Sequence, residues 1–312
     1  MKKILVMGGS YFAGRVFIEE LMKQKDVEIH VFNRGNMKLG FNGVTEHHGD
    51  RDSAEQISSA IPEENWDAVV DFCAYNPSHI ETALANIPGK IAQYLFVSTT
   101  TVCQNSWDLP IQEDAEKLEG RQPELGQLAD YGYDKLRAEN TLREICEREG
   151  IAYTILRPAV IYGYYNYAPR ESFFFDLVRR GAPIPIPEKG LSLFSFIWVV
   201  DMARLIIHCI GEEKAYGQNF NLSSTELVSY PRIIEVLEEI SGKKIEVIPK
   251  SVVDIDREQI PLPFPLDEHL VYSGSKLQRL FDFDYTPFAA GMRAAFDYFQ
   301  MVQDAREKSS SS

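Results

Sequence analysis

The sequence predicts an α/β fold, a doubly wound parallel sheet with a smaller C-terminal α/β portion, and three observations predict it. Residues 4–7 form a continuous apolar run directly after the N-terminus, the pattern of a strand buried on both faces. That run ends in Gly8-Gly9-Ser10-Tyr11-Phe12-Ala13-Gly14, after which residues 15–24 read as an amphipathic helix. Further apolar strand-like runs recur at 27–32, 66–72, 94–97 and 151–156, with helical patterns between them. A length of 312 residues, 45% of them hydrophobic and 25% charged, suits one large domain or a main domain with an appendage.

Strand, glycine turn and helix together make a place for an anion. The turn brings backbone N–H groups close to a pyrophosphate, which then lies on the positive end of the helix dipole. Gly14 lets the helix pack closely on the strand. The second strand, 27–32, leads into Asn33-Arg34-Gly35, where such sheets read the adenosine ribose. An acid there would grip a 2′-hydroxyl; Arg34 suits a 2′-phosphate, a lean towards NADP, and reads alternatively as an exposed turn residue. A short third strand, 44–48, ends in Gly49-Asp50-Arg51-Asp52. Asp50 either accepts a hydrogen bond from an adenine amino group or caps the helix that begins near Ser53. Cys73 and Ala74 follow the fourth strand, and Ser98-Thr99-Thr100-Thr101 the fifth, at carboxyl ends where ligands of such sheets sit. A Thr-rich stretch is also simply a good strand former.

Residues 104–130 are polar and acidic and read as a long loop. Tyr131-Gly132-Tyr133-Asp134-Lys135 then opens a helix that runs to 149. A Tyr and a Lys four apart share one helix face, and an ammonium beside a phenol favours the phenolate. Tyr131 would then exchange a proton with a substrate hydroxyl near neutral pH. Taken alone, the pair reads as a surface Tyr and a solvated Lys. A sixth strand, 151–156, carries Arg157-Pro158. Beyond Gly163 the pattern changes: 164–170 is aromatic and irregular, 172–180, 200–210, 233–241, 276–281 and 289–305 are helical, and 193–198, 218–221 and 245–247 are strands. The expected division is 1–163 for a dinucleotide, with 191–225 returning to it, 164–306 mainly for a substrate, and a disordered tail at 307–312.

Composition excludes several classes. A formal net charge of −14, with no long basic run, argues against a nucleic-acid partner. Four scattered cysteines without a Cys-x-x-Cys pair suit a reducing cytoplasm. The apolar run near the N-terminus stops at Gly8 and makes no secretory signal, and nothing approaches the ~20 apolar residues of a membrane span. The six histidines show no metal-ligand spacing, and no metal is expected.

Gly8-Gly9-x-x-Phe12-x-Gly14, Gly49-Asp50, Ser98-Thr99, Tyr131-x-x-x-Lys135 and Leu156-Arg157-Pro158 stand in an order and spacing that resembles the short-chain dehydrogenase/reductase superfamily. The resemblance is to its extended and atypical branch, the NAD-dependent epimerase/dehydratase group. It continues through Phe196-Ile197-Trp198-Val199-Val200-Asp201 and Phe220-Asn221-Leu222. It implies a Rossmann-type fold, NAD(P) as cofactor, and Tyr131 as proton-transfer residue. Lys135 would lower the Tyr131 pKa and hold the nicotinamide ribose, and Thr99 would hydrogen-bond the reacting oxygen. Gly8, Gly9, Ser10, Tyr11, Phe12, Gly14, Asn33, Arg34, Asp50, Arg51, Cys73, Ala74 and Pro158 would contact the cofactor. Tyr165, Asn166 and Arg170 are the candidates for substrate contact.

Three departures from the family pattern matter. Tyr11 replaces the middle glycine of the turn, Cys103 replaces a Tyr, and Thr100-Thr101 replaces the acidic pair that sugar dehydratases use. The last leaves epimerisation or carbonyl reduction of a sugar, nucleotide-linked by the family's habit. The rival from another class is a dinucleotide-binding sensor or scaffold without turnover. Atypical relatives of that kind include RNA-associated chloroplast proteins, which the acidic charge disfavours here. The resemblance also implies a homodimer formed through the 135–149 helix, whose apolar stripe of Leu136, Ala138, Leu142 and Ile145 is needed by the sheet in any case.

Overall fold

A computed structural model describes residues 1–189 and 192–310. The first half alternates strand and helix. β1 (Lys2–Met7), α1 (Phe12–Leu21), β2 (Val27–Asn33), β3 (Val44–His48) and α2 (Ala54–Ala60) come first. β4 (Glu64–Trp66), β5 (Ala68–Asp71), α3 (Pro77–Asn86), β6 (Gly89–Ile91), β7 (Gln93–Val97), α4 (Tyr131–Glu149) and β8 (Ala152–Pro158) follow. The second half holds β9 (Val160–Tyr162), α5 (Glu171–Arg180), β10 (Ile184–Pro187), β11 (Phe194–Trp198), α6 (Val199–Cys209) and β12 (Gln218–Leu222). It closes with β13 (Leu227–Val228), α7 (Tyr230–Ser241), β14 (Val247–Lys250), α8 (Val252–Arg257), α9 (Ser275–Phe281) and α10 (Phe288–Ser310).

Seven strands make the main sheet in the order β12-β8-β7-β5-β1-β2-β3, all parallel. This is the Rossmann-type doubly wound sheet that the apolar runs predict. Strand residues alternate between its faces. Ile4 and Val6 join Phe17, Ile18, Leu205 and Ile206 of α1 and α6 on one side. Leu5 and Met7 join Ile80, Ala138 and Leu142 of α3 and α4 on the other. The strand order reverses between β1 and β5, which opens a crevice at their carboxyl ends.

The apolar core on the α1–α6 side runs without a break into Phe174, Phe196, Tyr230, Phe264 and Phe288 of the second half. Helix α1 begins at Phe12, three residues earlier than its apolar periodicity suggests, because the glycine turn already has helical hydrogen bonding by Arg15. The last helix extends through Ser310, so residues 307–310 of the expected disordered tail are helical. Arg179 pairs with Asp304 and Glu307 there, at 2.9 and 2.8 Å. Residues 311 and 312 lie outside the described residues. The apolar stripe of α4 is spent within the chain, where Leu136, Ala138 and Leu142 are buried.

Candidate active site

A cavity of about 1020 Å³ opens at the carboxyl ends of β1, β2, β5, β7 and β8. Its volume lies at the upper end of the roughly 300–1,000 Å³ of small-molecule sites. The glycine turn forms one wall. Gly8 and Gly9 hold φ of 90° and 81°, where side chains are strained. A Cβ on Gly14 would stand 2.6 Å from the Gly9 Cα, so α1 rests on the turn with no room for one. Tyr11 occupies the N-cap of α1 without a side-chain capping bond, and the first turn of α1 carries no acid. The free N–H groups and positive end of α1 therefore face the cavity unopposed.

Beneath the turn lies a closed charge network. Asp71, wholly buried, accepts from Arg51 Nη1 and Nη2 at 2.9 and 3.1 Å, from Tyr94 Oη at 2.6 Å, and from the N–H groups of Cys73 and Ala74 at 2.9 Å each. Burial pushes the Asp71 carboxyl up, but the Arg51 charge and these donors outweigh it and hold it below the usual carboxylate range. Arg51 also donates to the His79 carbonyl at 2.9 Å and to Cys73 Sγ at 3.0 Å. Burial pushes the Cys73 thiol up to about 12, which leaves it inert.

The opposite corner is set by α4. A Cβ on Gly132 would lie 2.7 Å from the Thr101 carbonyl, so the first turn of α4 sits directly on the Ser98–Thr101 segment. Tyr131 is 37% accessible, and it lines the cavity. Burial raises its phenol pKa; the Thr99 hydroxyl and the Arg170 charge act against that rise. Lys135 lies one turn on and is buried. Its Nζ donates to the Val97 carbonyl at 2.9 Å and stands 4.9 Å from the centres of the Tyr75 and Phe96 rings. Burial brings its pKa down to about 8. The expected phenolate-favouring pull of Lys135 is thus corrected: its ammonium turns towards the strand, and the groups that lower the Tyr131 pKa are Thr99 and Arg170.

One turn further along α4, Glu139 anchors the helix. It accepts from Ser98 Oγ at 2.7 Å and from Arg157 Nε and Nη2 at 2.8 and 2.6 Å, all buried. Arg157 of the Leu-Arg-Pro run is therefore a clamp between β8 and α4, off the cavity walls. Sequence reading missed Glu139, whose signal was an acid four residues after Lys135 on the apolar face of α4.

Most of the expected residues meet in this cavity. Gly8, Gly9, Ser10, Tyr11, Phe12, Gly14, Asn33, Arg34, Asp50, Arg51, Cys73, Thr99, Tyr131, Lys135, Pro158, Asn166 and Arg170 all line it. Two do not. Ala74 is fully buried, its N–H spent on Asp71. Tyr165, at φ 61°, turns its hydroxyl to Glu19 at 2.8 Å and its ring under the Arg15 guanidinium. The helix-capping role left open for Asp50 belongs to Ser53, which accepts from the Gln56 N–H. Asn166 lines the cavity but donates to both Glu171 oxygens, at 3.1 and 2.8 Å. Residues not anticipated on the walls include Tyr75, Leu125, Leu128, Tyr167 and Leu270. They come from loops and, for Leu125 and Leu128, from the short 3₁₀ turn Pro123–Leu128, and only their apolar character within polar stretches could have marked them.

Residues 80–223 match the model of the NAD-dependent epimerase/dehydratase family. Over that segment, rather less than half of its length, the chain is similar to this family. Members of that family are enzymes; the matched segment holds Thr99 and the Tyr131–Lys135 helix on the cavity wall, while the glycine turn and α1 lie outside it. Among individual relatives, the chloroplast stem-loop binding protein of 41 kDa b from Arabidopsis thaliana is 26% identical, over 97% of this chain and 78% of its own. An uncharacterized UDP-glucose epimerase from Bacillus subtilis is 24% identical, over 78% of this chain and 83% of its own. The UDP-glucuronic acid 4-epimerase of Bacillus cereus, solved with UDP-glucuronic acid and NAD, shares the fold. It superposes with a TM-score of 0.75 at 20% identity, over 96% of this chain and 99% of that one.

Proposed function

We propose that the chain is an NAD(P)-dependent epimerase or reductase acting on a hydroxyl or carbonyl group of a sugar or related compound. The observation that carries the reading is the meeting of Thr99, Tyr131 and Lys135 with the glycine turn in one cavity. The turn fits a dinucleotide, since its glycines leave no space for side chains and α1 offers an uncapped, acid-free N-terminus. Gly8 to Gly14 and Ser10 would hold the pyrophosphate, Asn33, Arg34 and Asp50 the adenosine end, and Lys135 the ribose beside the nicotinamide. When bound, the nicotinamide ring takes or gives the hydride. Tyr131 moves the proton at Oη, and the Thr99 hydroxyl orients the reacting oxygen beside it. In the oxidation direction the substrate loses a hydride from carbon and a proton from oxygen to become a carbonyl; an epimerase returns both. With its pKa raised, Tyr131 is the protonated acid at neutral pH. Reduction is therefore favoured there, and kcat/KM for alcohol oxidation should rise with pH above neutrality. In this reading residues 1–163 carry the cofactor and residues 164–306 mainly the substrate.

Arg34 is exposed at the end of β2 and lines the cavity, which supports the lean towards NADP. The test is a titration of the protein with NAD(H) and NADP(H), repeated with Arg34→Ala and Tyr131→Phe. NADPH should bind more tightly than NADH, and Arg34→Ala should remove the preference. Tyr131→Phe should keep cofactor affinity and lose about 10²–10⁴-fold in turnover. Absence of binding by either dinucleotide defeats the enzyme reading. A second reading, a dinucleotide-binding scaffold that contacts RNA, draws on the chloroplast relative's name. The net charge of −14 opposes it. It predicts a shift of stem-loop RNA on a native gel that Tyr131→Phe leaves unchanged.

A further inference from the structure

We propose that the second ligand of this cavity is a hydroxy or oxo compound with an apolar body and a single carboxylate seated on Arg170, and not a nucleoside diphosphate sugar. This rests on the reading above and narrows its substrate class.

Two phosphates entering a partly enclosed cavity need compensation, from basic side chains or from helix N-termini, because unpaired buried charge is costly. The walls carry four Arg or Lys side chains, Arg34, Arg51, Lys135 and Arg170, besides His79, whose pKa burial lowers. Arg34 lies at the end of β2, at the far side of the glycine turn. Arg51 is consumed by Asp71. Lys135 is turned to the Val97 carbonyl beside Tyr75. Arg170 alone is left beyond Tyr131, with Nη1 donating to the Ile161 carbonyl at 3.1 Å and its other donors available.

The helix ends tell the same story. α1 presents an acid-free first turn to the cavity, whereas each helix that borders its other side brings a carboxyl of its own. α5 starts with Glu171, which is buried and accepts from the Gly163 N–H at 2.8 Å and from Asn166. α6 has Asp201 in its first turn, and α4 has Asp134. Among the described helix ends on the walls, that of α1 is acid-free and uncapped; α3 is acid-free too, but Asn76 caps it by accepting from the His79 N–H, and a second pair of phosphates finds those on the opposite side already taken. What that side does offer is apolar: Leu125, Leu128, Tyr167 and Leu270 line it, and Leu128 and Tyr167 are 63% and 77% accessible. Such a surface covers a hydrocarbon or ring better than a ribose diphosphate.

The experiment is calorimetric titration in three arms. NADH added to the protein reports on the cofactor reading by itself. To the NADH-saturated protein, UDP is added as the diphosphate probe and benzoate as the simplest carboxylate with an apolar body. Benzoate should bind, and Arg170→Gln should weaken it about tenfold or more while NADH affinity stays unchanged. UDP should bind no more tightly than roughly millimolar in either protein. Micromolar binding of UDP overturns the proposal. So does benzoate that fails to bind, or that binds equally well to Arg170→Gln. Loss of NADH binding with the wild-type protein defeats the reading beneath it instead, so the two failures are told apart.

Discussion

Beneath the glycine-turn wall of the cavity the buried carboxylate is fully partnered by the fold: Asp71 takes five hydrogen bonds, from Arg51, Tyr94 and two backbone N–H groups. Across the cavity, the 104–130 loop and the segment after Gly163 present Leu125, Leu128 and Tyr167 to solvent. The first wall is rigid because charges buried in low dielectric hold only when fully paired. The second is soft, because exposed apolar side chains on loops have few neighbours to fix them. A scaffold that grips one constant ligand and accommodates a second through replaceable loops has this division.

The largest effect should come from opening the rigid wall. Asp71→Ala leaves the Arg51 guanidinium, the Tyr94 hydroxyl and two buried N–H groups without their acceptor. Breaking a buried pair in this way costs about 3–5 kcal/mol, measurable as a lowered midpoint in urea. If the midpoint barely moves, the network under the glycine turn is not holding it. Glu139→Ala should cost a similar amount, because Arg157, 1% exposed, then loses a bidentate partner.

Lys135, in the opposite corner, is buried as well yet has no carboxylate partner at ion-pair distance among the described residues, and the prediction for it has the opposite sign. Burial brings its pKa from 10.5 down to about 8. The folded protein then binds fewer protons than the unfolded chain between those values, so stability rises as pH rises through that window. Below about pH 8 the buried ammonium costs up to about 3 kcal/mol. Lys135→Met should therefore raise the melting temperature at pH 7, lose that advantage above pH 10, and weaken dinucleotide binding. Melting curves of both proteins at the two pH values decide it; equal melting temperatures at pH 7 would show that water reaching the cavity relieves the charge.

The same contrast explains what was legible in the sequence. The glycine turn, Lys135 and Tyr131 could be read because close backbone approach and helix periodicity leave marks at fixed short spacings. The sheet could be read because parallel strands buried on both faces are unbroken apolar runs. Asp71 with Arg51, and Glu139 with Arg157, could not, since each pair is joined across 20 or 18 positions by tertiary packing alone. An acid inside the apolar run of β5 was the available hint, because a buried carboxylate requires a partner. Ala74 and Tyr165 were misjudged for a related reason. Position at a strand end or in a loop does not say which way a residue turns, and a hydrogen bond to Asp71 and a left-handed backbone decided those two.

The smallest effects should come from the soft wall. Leu128 is 63% accessible and Tyr167 77%, so little of either side chain is buried on folding. Leu128→Ser and Tyr167→Ser should each change stability by no more than about 0.5 kcal/mol, the range of ordinary surface substitutions. Cofactor affinity should be unchanged for Leu128→Ser as well; Tyr167 meets Phe12 of the glycine turn edge-on at 6.1 Å, so Tyr167→Ser tests whether the two walls are coupled there. What should change is KM for the second ligand, which loses apolar contact worth about 25 cal/mol for each Å² no longer covered. A double variant that alters KM but leaves urea midpoint and cofactor affinity untouched keeps the two walls independent. One that lowers the midpoint by as much as Asp71→Ala shows instead that the exposed apolar wall is part of the folded core, and the contrast between the walls is lost.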